Sequence, residues 1–300
     1  MSWRVVTISS VAKLDYKMDY LVVRRPEGIT RIHLSEISVL IVESTAVSLT
    51  AYLLYELSKH KIEVIFCDEK RMPIGRYTSL YASHDTSHKL RRQIKWDDGT
   101  RALCWQSIIK RKILGQLSVL QEKTHADTPL LEEYISQVLP NDETNREGHA
   151  AKVYFNLLFG KNFSRTQENE INAALNYGYG ILLSVVAREI EVCGYANQIG
   201  IFHNNVNNRY NLASDLMEPF RPFVDFVVTE LEHSKFDHDD KMYIVRMLNR
   251  MIDINERSQS MLNAIKISVK SILDAISDND LDLMIFPEYE LQIYADDRIL

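Results

Sequence analysis

Residues 202–222, FHNNVNNRYNLASDLMEPFRP, collect one histidine, a cluster of asparagines, two carboxylates and two prolines beside an arginine. On a helix Asp215 and Glu218 are three residues apart and share a face. Pro219 follows Glu218 at once and Pro222 comes soon after. Each proline removes a backbone donor and disturbs the preceding turn, so something besides packing holds this turn. His203 ends the run GIFH, in which a glycine and two apolar residues deliver it to a tight connection. Upstream, NREGHAAKVYFNLLFG at 145–160 opens a helix, with Asn145 as cap and Glu147 in its first turn. These pieces offer one imidazole and up to three carboxylates. A mixed nitrogen and oxygen set suits Mg²⁺ or Mn²⁺ better than structural Zn²⁺. Such an ion polarises a phosphoryl oxygen and activates an attacking hydroxyl. Spacing alone leaves plainer roles open: a hydrogen-bonded core histidine, a glutamate complementing the helix dipole and asparagines serving turns. The denser run HSKFDHDD at 233–240 reads as an interhelical turn with Asp as N-cap, not as a metal site.

The elements that position these residues are legible in outline. Short Val- and Ile-rich runs at 3–9, 19–25, 29–34, 37–43 and 62–68 predict strands, with a helix near 45–59. After residue 75 the period is lost, and from Trp96 onward helical patterns dominate. They predict one long helix from Asp97 or Asp98, then helices near 129–138, 145–159, 168–193, 212–231, 239–253 and 257–277. The expected fold is therefore α+β: a strand-rich N-terminal domain with one helix over 1–75, a linker over 76–95 and a larger all-α domain over 96–300.

Composition narrows the classes of function. With 46% apolar and 25% charged residues, the 300-residue chain is neither disordered nor low in complexity. Cys67, Cys104 and Cys193 lack the spacing of a disulfide framework or zinc knuckle, which suits a reducing compartment. The N-terminus shows no basic region followed by an apolar run, and the longest apolar stretch, 181–187, ends at Arg188. A cytoplasmic protein away from the membrane is the expectation. There is no GxxxxGK[ST], HExxH, CxxC or GxSxG, and Leu183 stands where a GxGxxG beginning at Gly178 needs its third glycine. The net charge is -6, but segments 76–112 and 113–147 carry +6 and -5. One face can therefore be basic on an acidic chain.

The runs REGHAAKVYF, INAALNYGYGIL, GIFH and DLMEPFRP, in this order, resemble the motifs of the CRISPR-associated integrase family, Cas-one. The resemblance spans nearly the whole chain and is greatest to the type II-A subgroup found beside the effector nuclease Cas-nine. It implies that Glu147, His203 and Glu218 are the catalytic residues and hold Mg²⁺ or Mn²⁺. Many relatives carry Asp at the last position, so Glu218 is a longer arm. Asp215 falls at a nearby acidic position and is read as accessory. The implied reaction joins prespacer DNA to the repeat next to a leader. A 3′-hydroxyl attacks a phosphodiester, once on each strand, and the exchange needs no ATP. In this frame Asn204, Asn207, Asn208, Arg209 and Arg221 become candidates for phosphate contact. The basic runs Lys89, Arg91, Arg92, Lys95 and Lys110, Arg111, Lys112 are candidates for a duplex track. Asn172, Asn176, Tyr177 and Tyr179 match a further family motif and can shape the floor of the site. The implied partners are a second copy through the N-terminal domains and a Cas-two dimer, giving a heterohexamer. Cas-nine and a ring-shaped adaptation protein are further implied partners. Two other readings use the same residues: hydrolysis of branched or single-stranded DNA, and a scaffold without catalysis.

Overall fold

β-Branched and aromatic runs bounded by turns become strands in the first part of the chain, because such side chains pack well on a half-buried pleat. The computed structural model describes residues 4–77, 83–125 and 128–289. The chain divides into two compact units, Met1–His84 and Asp85–Leu300. The first contains β1 (Arg4–Ile8), β2 (Ala12–Lys17), β3 (Tyr20–Arg25), β4 (Gly28–His33), β5 (Ile37–Val42), β6 (Val47–Leu49), α1 (Ala51–Lys59), β7 (Glu63–Cys67) and β8 (Pro73–Tyr77). One sheet has the order β1-β5-β7-β8 and the other β4-β3-β2-β6. All of β5 is buried, the pattern of a central strand covered on both faces. Leu14, Leu21, Leu40, Leu53, Leu57 and Val64 share its core.

The strands absent from the sequence reading, β2, β6 and β8, give weak signals. β6 has three residues. It occupies the start of the expected helix, so α1 begins at Ala51, with the Thr50 side chain accepting from the Leu53 backbone N–H. β8 contains Pro73 and Gly75 but lies at a sheet edge, where proline is tolerated.

The second unit is built from α2 (Thr86–Gln93), α3 (Asp98–Thr124), α4 (Pro129–Gln137), α5 (Arg146–Phe159), α6 (Glu170–Val192), α7 (Asn211–Leu216), α8 (Arg221–Val228), α9 (His238–Arg246), β9 (Met251–Ile254), β10 (Arg257–Ser260) and α10 (Met261–Asp278). Two expectations are corrected. The segment 76–95 is not a linker throughout: β8 runs to Tyr77 and α2 covers Thr86–Gln93, while residues 78–82 lie outside the described part. Gln93 has a tertiary reason to be ordered. Its amide donates to the carbonyls of Ala196 and Ile199 and accepts from the Ala196 N–H. The C-terminal domain is also not entirely helical. Asn255 and Glu256, with φ of 53° and 60°, turn β9 into β10 between α9 and α10. HSKFDHDD is the turn its sequence predicts: Asp237 caps α9 in a capping box with Asp240. Among the described residues no helix is long and apolar enough to cross a membrane.

Helix α3 packs against α4, α5, α8 and α10. Close approach to it depends on Gly115, where a Cβ would stand 2.5 Å from the Tyr289 ring and 2.8 Å from Pro222. Tyr289 donates a 2.7 Å hydrogen bond to the Pro219 carbonyl. Gly115→Ala should therefore destabilise the fold by about 1–3 kcal/mol, the usual cost of overpacking. Urea denaturation checks this, and an unchanged midpoint would show that ring and proline give way freely.

Candidate active site

Glu147 is set by the entry to α5. Asp142 is buried there and accepts from the backbone N–H groups of Arg146 (2.8 Å) and Glu147 (3.0 Å). Asn145 accepts from Gly148 N at 3.3 Å. The first turn is thus satisfied by Asp142 and Asn145, leaving the Glu147 side chain to point elsewhere. Its Oε1 lies 2.5 Å from Lys112 Nζ on α3.

His203 is held by Asp215, whose side chain is fully buried. Asp215 Oδ2 accepts from the backbone N–H groups of Ile201 (2.6 Å) and Phe202 (3.1 Å). Oδ1 accepts from His203 N at 3.1 Å and lies 2.5 Å from His203 Nδ1. A carboxylate at Nδ1 selects the tautomer with the proton there and leaves Nε2 as the basic nitrogen. Glycine is required at 200, because a Cβ would stand 2.3 Å from the His203 carbonyl oxygen and 2.7 Å from Asp215. Arg101 donates to the carbonyls of Gly200 and Ile201. The Phe202 ring stacks on buried Trp105 at 4.5 Å, and Trp105 meets the imidazole edge-on.

Glu218 opens a 3₁₀ turn, Glu218–Phe220, between α7 and α8. The predicted continuous helix 212–231 is broken there, as the two prolines require. Glu218 is 2% exposed, with Oε2 2.5 Å from Lys112 Nζ and Oε1 3.2 Å from Arg221 Nε. Neither contact is an aligned hydrogen bond, so charge alone offsets the burial of Oε2. Lys112 therefore stands between Glu147 and Glu218. Both glutamates also act through their charge on His203, so the three lie in one electrostatic neighbourhood. Among the described residues, however, no three His, Cys, Asp and Glu side chains are gathered as a metal cage. Asp215 bonds His203 and its loop.

The charges are strongly conditioned. Burial works against the Lys112 ammonium, but Glu218 and Glu147 outweigh it and raise its pKa. Burial likewise works against the Glu147 carboxylate, and Lys112 overrides it and lowers the pKa. The hydrogen bond to Asp215 raises the pKa of His203 above the usual histidine value. Beneath the site Asp225 accepts from Tyr179, and burial pushes its pKa up to about 6 against the opposing tyrosine hydroxyls. A folded-state pKa above the unfolded value means stability present at low pH and lost as pH rises from about 4 through 6. Asp225→Asn should therefore gain on the wild type between pH 5 and pH 7.5, by about 1.4 kcal/mol. Denaturation at both pH values checks this; a constant difference would refute it. Cys104 is pushed up to about 12 by burial, so its thiol is inert at neutral pH.

The residues expected to meet DNA fall into two groups. Some are committed within the protein. Arg221 lies against Glu218 and 4.8 Å over the Tyr179 ring. Arg92 clamps α2 to the end of α10 through the Ser277 carbonyl and Asp278. Lys89 pairs with Asp85 and lies over the Tyr195 ring. Asn208 bonds Ser214 and the Tyr210 N–H. Asn172 and Asn176 are both bonded by Arg165, and Tyr177 is buried. Others present their side chains outward: Asn204, Asn207, Arg209, Arg91, Lys95 and Arg111 are exposed, and Lys110 is half-buried. His88, Arg91, Lys95 and Trp96 line a cleft of about 310 Å³. Lys112 departs most from the sequence reading, being buried in the site and not on a duplex track. The signal was present: Trp105, Ile108, Ile109, Lys112 and Val119 follow helical spacing, so Lys112, like Gln116 a turn later, interrupts an otherwise apolar stripe. Asn211, which bonds both the Gln198 and Asn205 carbonyls, and Arg101 had no such signal.

Comparison with known proteins gives a consistent picture. Residues 5–250 match the model of the family described as CRISPR associated protein Cas1. The CRISPR-associated endonuclease Cas1 of Neisseria meningitidis serogroup C is 31% identical over 294 residues, 96% of this chain and 97% of that protein. A casposase bound to integration product has the same fold, with TM-score 0.76 at 18% identity over 100% of this chain and 96% of that one. A Cas6-RT-Cas1–Cas2 complex matches with TM-score 0.71 at 18% identity, over 96% of this chain and 36% of that one. The chain belongs to the Cas1 family.

Proposed function

We propose that this chain is an integrase of CRISPR adaptation, of the type II-A-like subgroup, joining prespacer DNA to the leader-proximal repeat. The observation that carries the reading is the convergence of Glu147 and Glu218, from separate elements, on one cation, in the electrostatic neighbourhood of His203. Nothing in a packing role asks for two carboxylates from separate elements on one buried lysine. The buried Glu218 oxygen without an aligned donor supports a ligand role, as does the contact of His203 Nδ1 with Asp215, which leaves Nε2 as the basic nitrogen. A mixed oxygen and nitrogen set dominated by two carboxylates fits Mn²⁺ or Mg²⁺ better than structural Zn²⁺. Glu147, His203 and Glu218 would hold the ion. An ion there would supply Lewis-acid polarisation of the phosphodiester and charge stabilisation at the departing oxygen.

The chain's own residues do the rest. Asp215 orients the imidazole and fixes its tautomer. Arg221 supplies positive charge beside Glu218, and Asn204 and Arg209 offer donors next to His203 for phosphate oxygens. The exposed cations Arg91, Lys95, Lys110 and Arg111 are suited to sequence-independent contact with duplex DNA. In the reaction the 3′-oxygen of the prespacer forms a bond to phosphorus as the bond to the target's 3′-oxygen breaks. The attacking hydroxyl loses its proton and the departing oxygen gains one, so no energy source is needed.

We place this activity in the cytoplasm of a prokaryote, in a homodimer that assembles with a Cas2 dimer into a heterohexamer. Cas9 and the ring-shaped adaptation protein are further partners in this reading. Exposed Tyr20, Tyr52 and Tyr55 on the first unit support contact with a second copy. Hydrolysis of DNA at the same site is the second reading, favoured by the name of the Neisseria relative as an endonuclease.

The deciding experiment supplies labelled prespacer with free 3′-hydroxyls and a plasmid carrying leader and repeat, with and without Cas2 and divalent metal. Label joined only with metal, and lost in His203→Ala, is the expected result. Cutting without joining, even with Cas2 present, selects the hydrolytic reading. DNA bound with neither product would leave only a scaffold.

A further inference from the structure

Lys112 is a charged residue at the heart of the site that the proposed reaction has not used. Three observations make it unlike an ordinary buried ion pair. Its ammonium is shared by two carboxylates from different elements, each at 2.5 Å. It makes an aligned hydrogen bond to Glu147 but none to Glu218, which leaves bonding capacity on both sides unused. It also interrupts the apolar stripe of α3, where an aliphatic side chain would pack; replacing a buried ion pair by apolar residues is often neutral or stabilising. Stability alone therefore does not explain a lysine here.

We propose that Lys112 is the internal counter-cation of the metal-free site: its ammonium neutralises Glu147 and Glu218 until a divalent ion enters, and then releases them. The inference rests on the metal-binding reading above. Charge balance gives it force. Glu147 and Glu218 carry two negative charges; Lys112 and Arg221 carry two positive ones. The two cations thus balance the two glutamates, so these four side chains can be buried together. When a divalent ion takes the carboxylates, Lys112 remains tethered to α3, and the site gains two positive charges, a surplus over its ion-free state. That surplus matches an incoming phosphodiester and the further negative charge that develops on it during attack. Lys112 would thus couple loading of the metal to binding of DNA. It also lowers the apparent metal affinity, because the ion must displace an occupant.

Direct Mn²⁺ titration, reading free Mn²⁺ by electron paramagnetic resonance, tests this on the full chain. Lys112→Met should bind Mn²⁺ about tenfold more tightly than the wild type or better. In EDTA its unfolding midpoint should fall, because two carboxylates are left facing each other, and Mn²⁺ should restore it. A merely structural lysine would lower stability and metal affinity together, and that result would overturn the proposal. So would Mn²⁺ binding no tighter than wild type, with binding still abolished by His203→Ala; the metal site itself would then stand. If neither protein binds Mn²⁺, both this inference and the metal-dependent function fail. Should Lys112→Met not fold, a Mn²⁺-loaded crystal structure of the wild type decides. The Lys112 ammonium must have left at least one carboxylate; an ammonium still on both beside a bound ion would overturn the proposal.

Discussion

Asp215→Ala will unfold with about 3–5 kcal/mol less stability than the wild type and will not join DNA. The side chain is fully buried and accepts from three consecutive backbone N–H groups and from the imidazole. Truncation leaves those donors without an acceptor, at about 1–3 kcal/mol for each buried unsatisfied group. The losses share one loop and are not fully additive. The same loop carries His203, so the imidazole loses its orientation with its support. Urea denaturation reads the first effect and the joining assay the second. A loss under about 1 kcal/mol would mean that the loop finds other acceptors, and the account of Gly200 and Arg101 as supports of a single conformation would fail with it. Asp215→Asn keeps the shape but turns an amide N–H toward backbone donors, so it should fall between alanine and wild type in stability.

Glu218→Gln will lower joining by about a thousandfold or more while the chain stays folded, the scale of losing an interaction that stabilises transition-state charge. The substitution keeps the volume, removes the charge and turns one acceptor oxygen into an amide donor. Lys112 retains its hydrogen bond to Glu147, so the fold keeps an ion pair at the site. Glu218→Asp restores the carboxylate on a shorter arm and should recover a measurable part of the rate. Initial rates of label transfer, with a thermal melt as control, settle the matter. Joining by Glu218→Gln within tenfold of wild type would remove Glu218 from the catalytic set and leave it a partner of Lys112 and Arg221.

These expectations depend on unequal shares of sequence and structure. Periodicity alone separated a strand-rich first part from a helical second part, because period-2 and period-3.6 burial leave different marks on a chain. The central strand ISVLIV and the helices α3, α5 and α6 were legible for that reason. β6 and β8 were not, since three residues, or a run holding Pro and Gly, carry no period. The hairpin β9–β10 was hidden within two helical patterns, because its turn rests on Asn255 and Glu256 in a left-handed conformation and not on glycine.

At the site, the resemblance of the motifs to the Cas-one family singled out Glu147, His203, Asp215 and Glu218, while residue type and spacing alone left plainer roles open. What the tertiary structure decided is how their charges are satisfied. It set Asp215 under the histidine loop, committed Arg221 and Arg92 to partners within the chain, and put Lys112 between two glutamates. Lys110, Arg111 and Lys112 are neighbours in sequence, yet Arg111 is exposed and Lys112 buried. Each residue of a helix turns by about 100°, so a run of like charges is divided between solvent and core. Which member enters the core depends on what the opposing elements bring to it, and those elements lie 35 and 106 residues further along the chain.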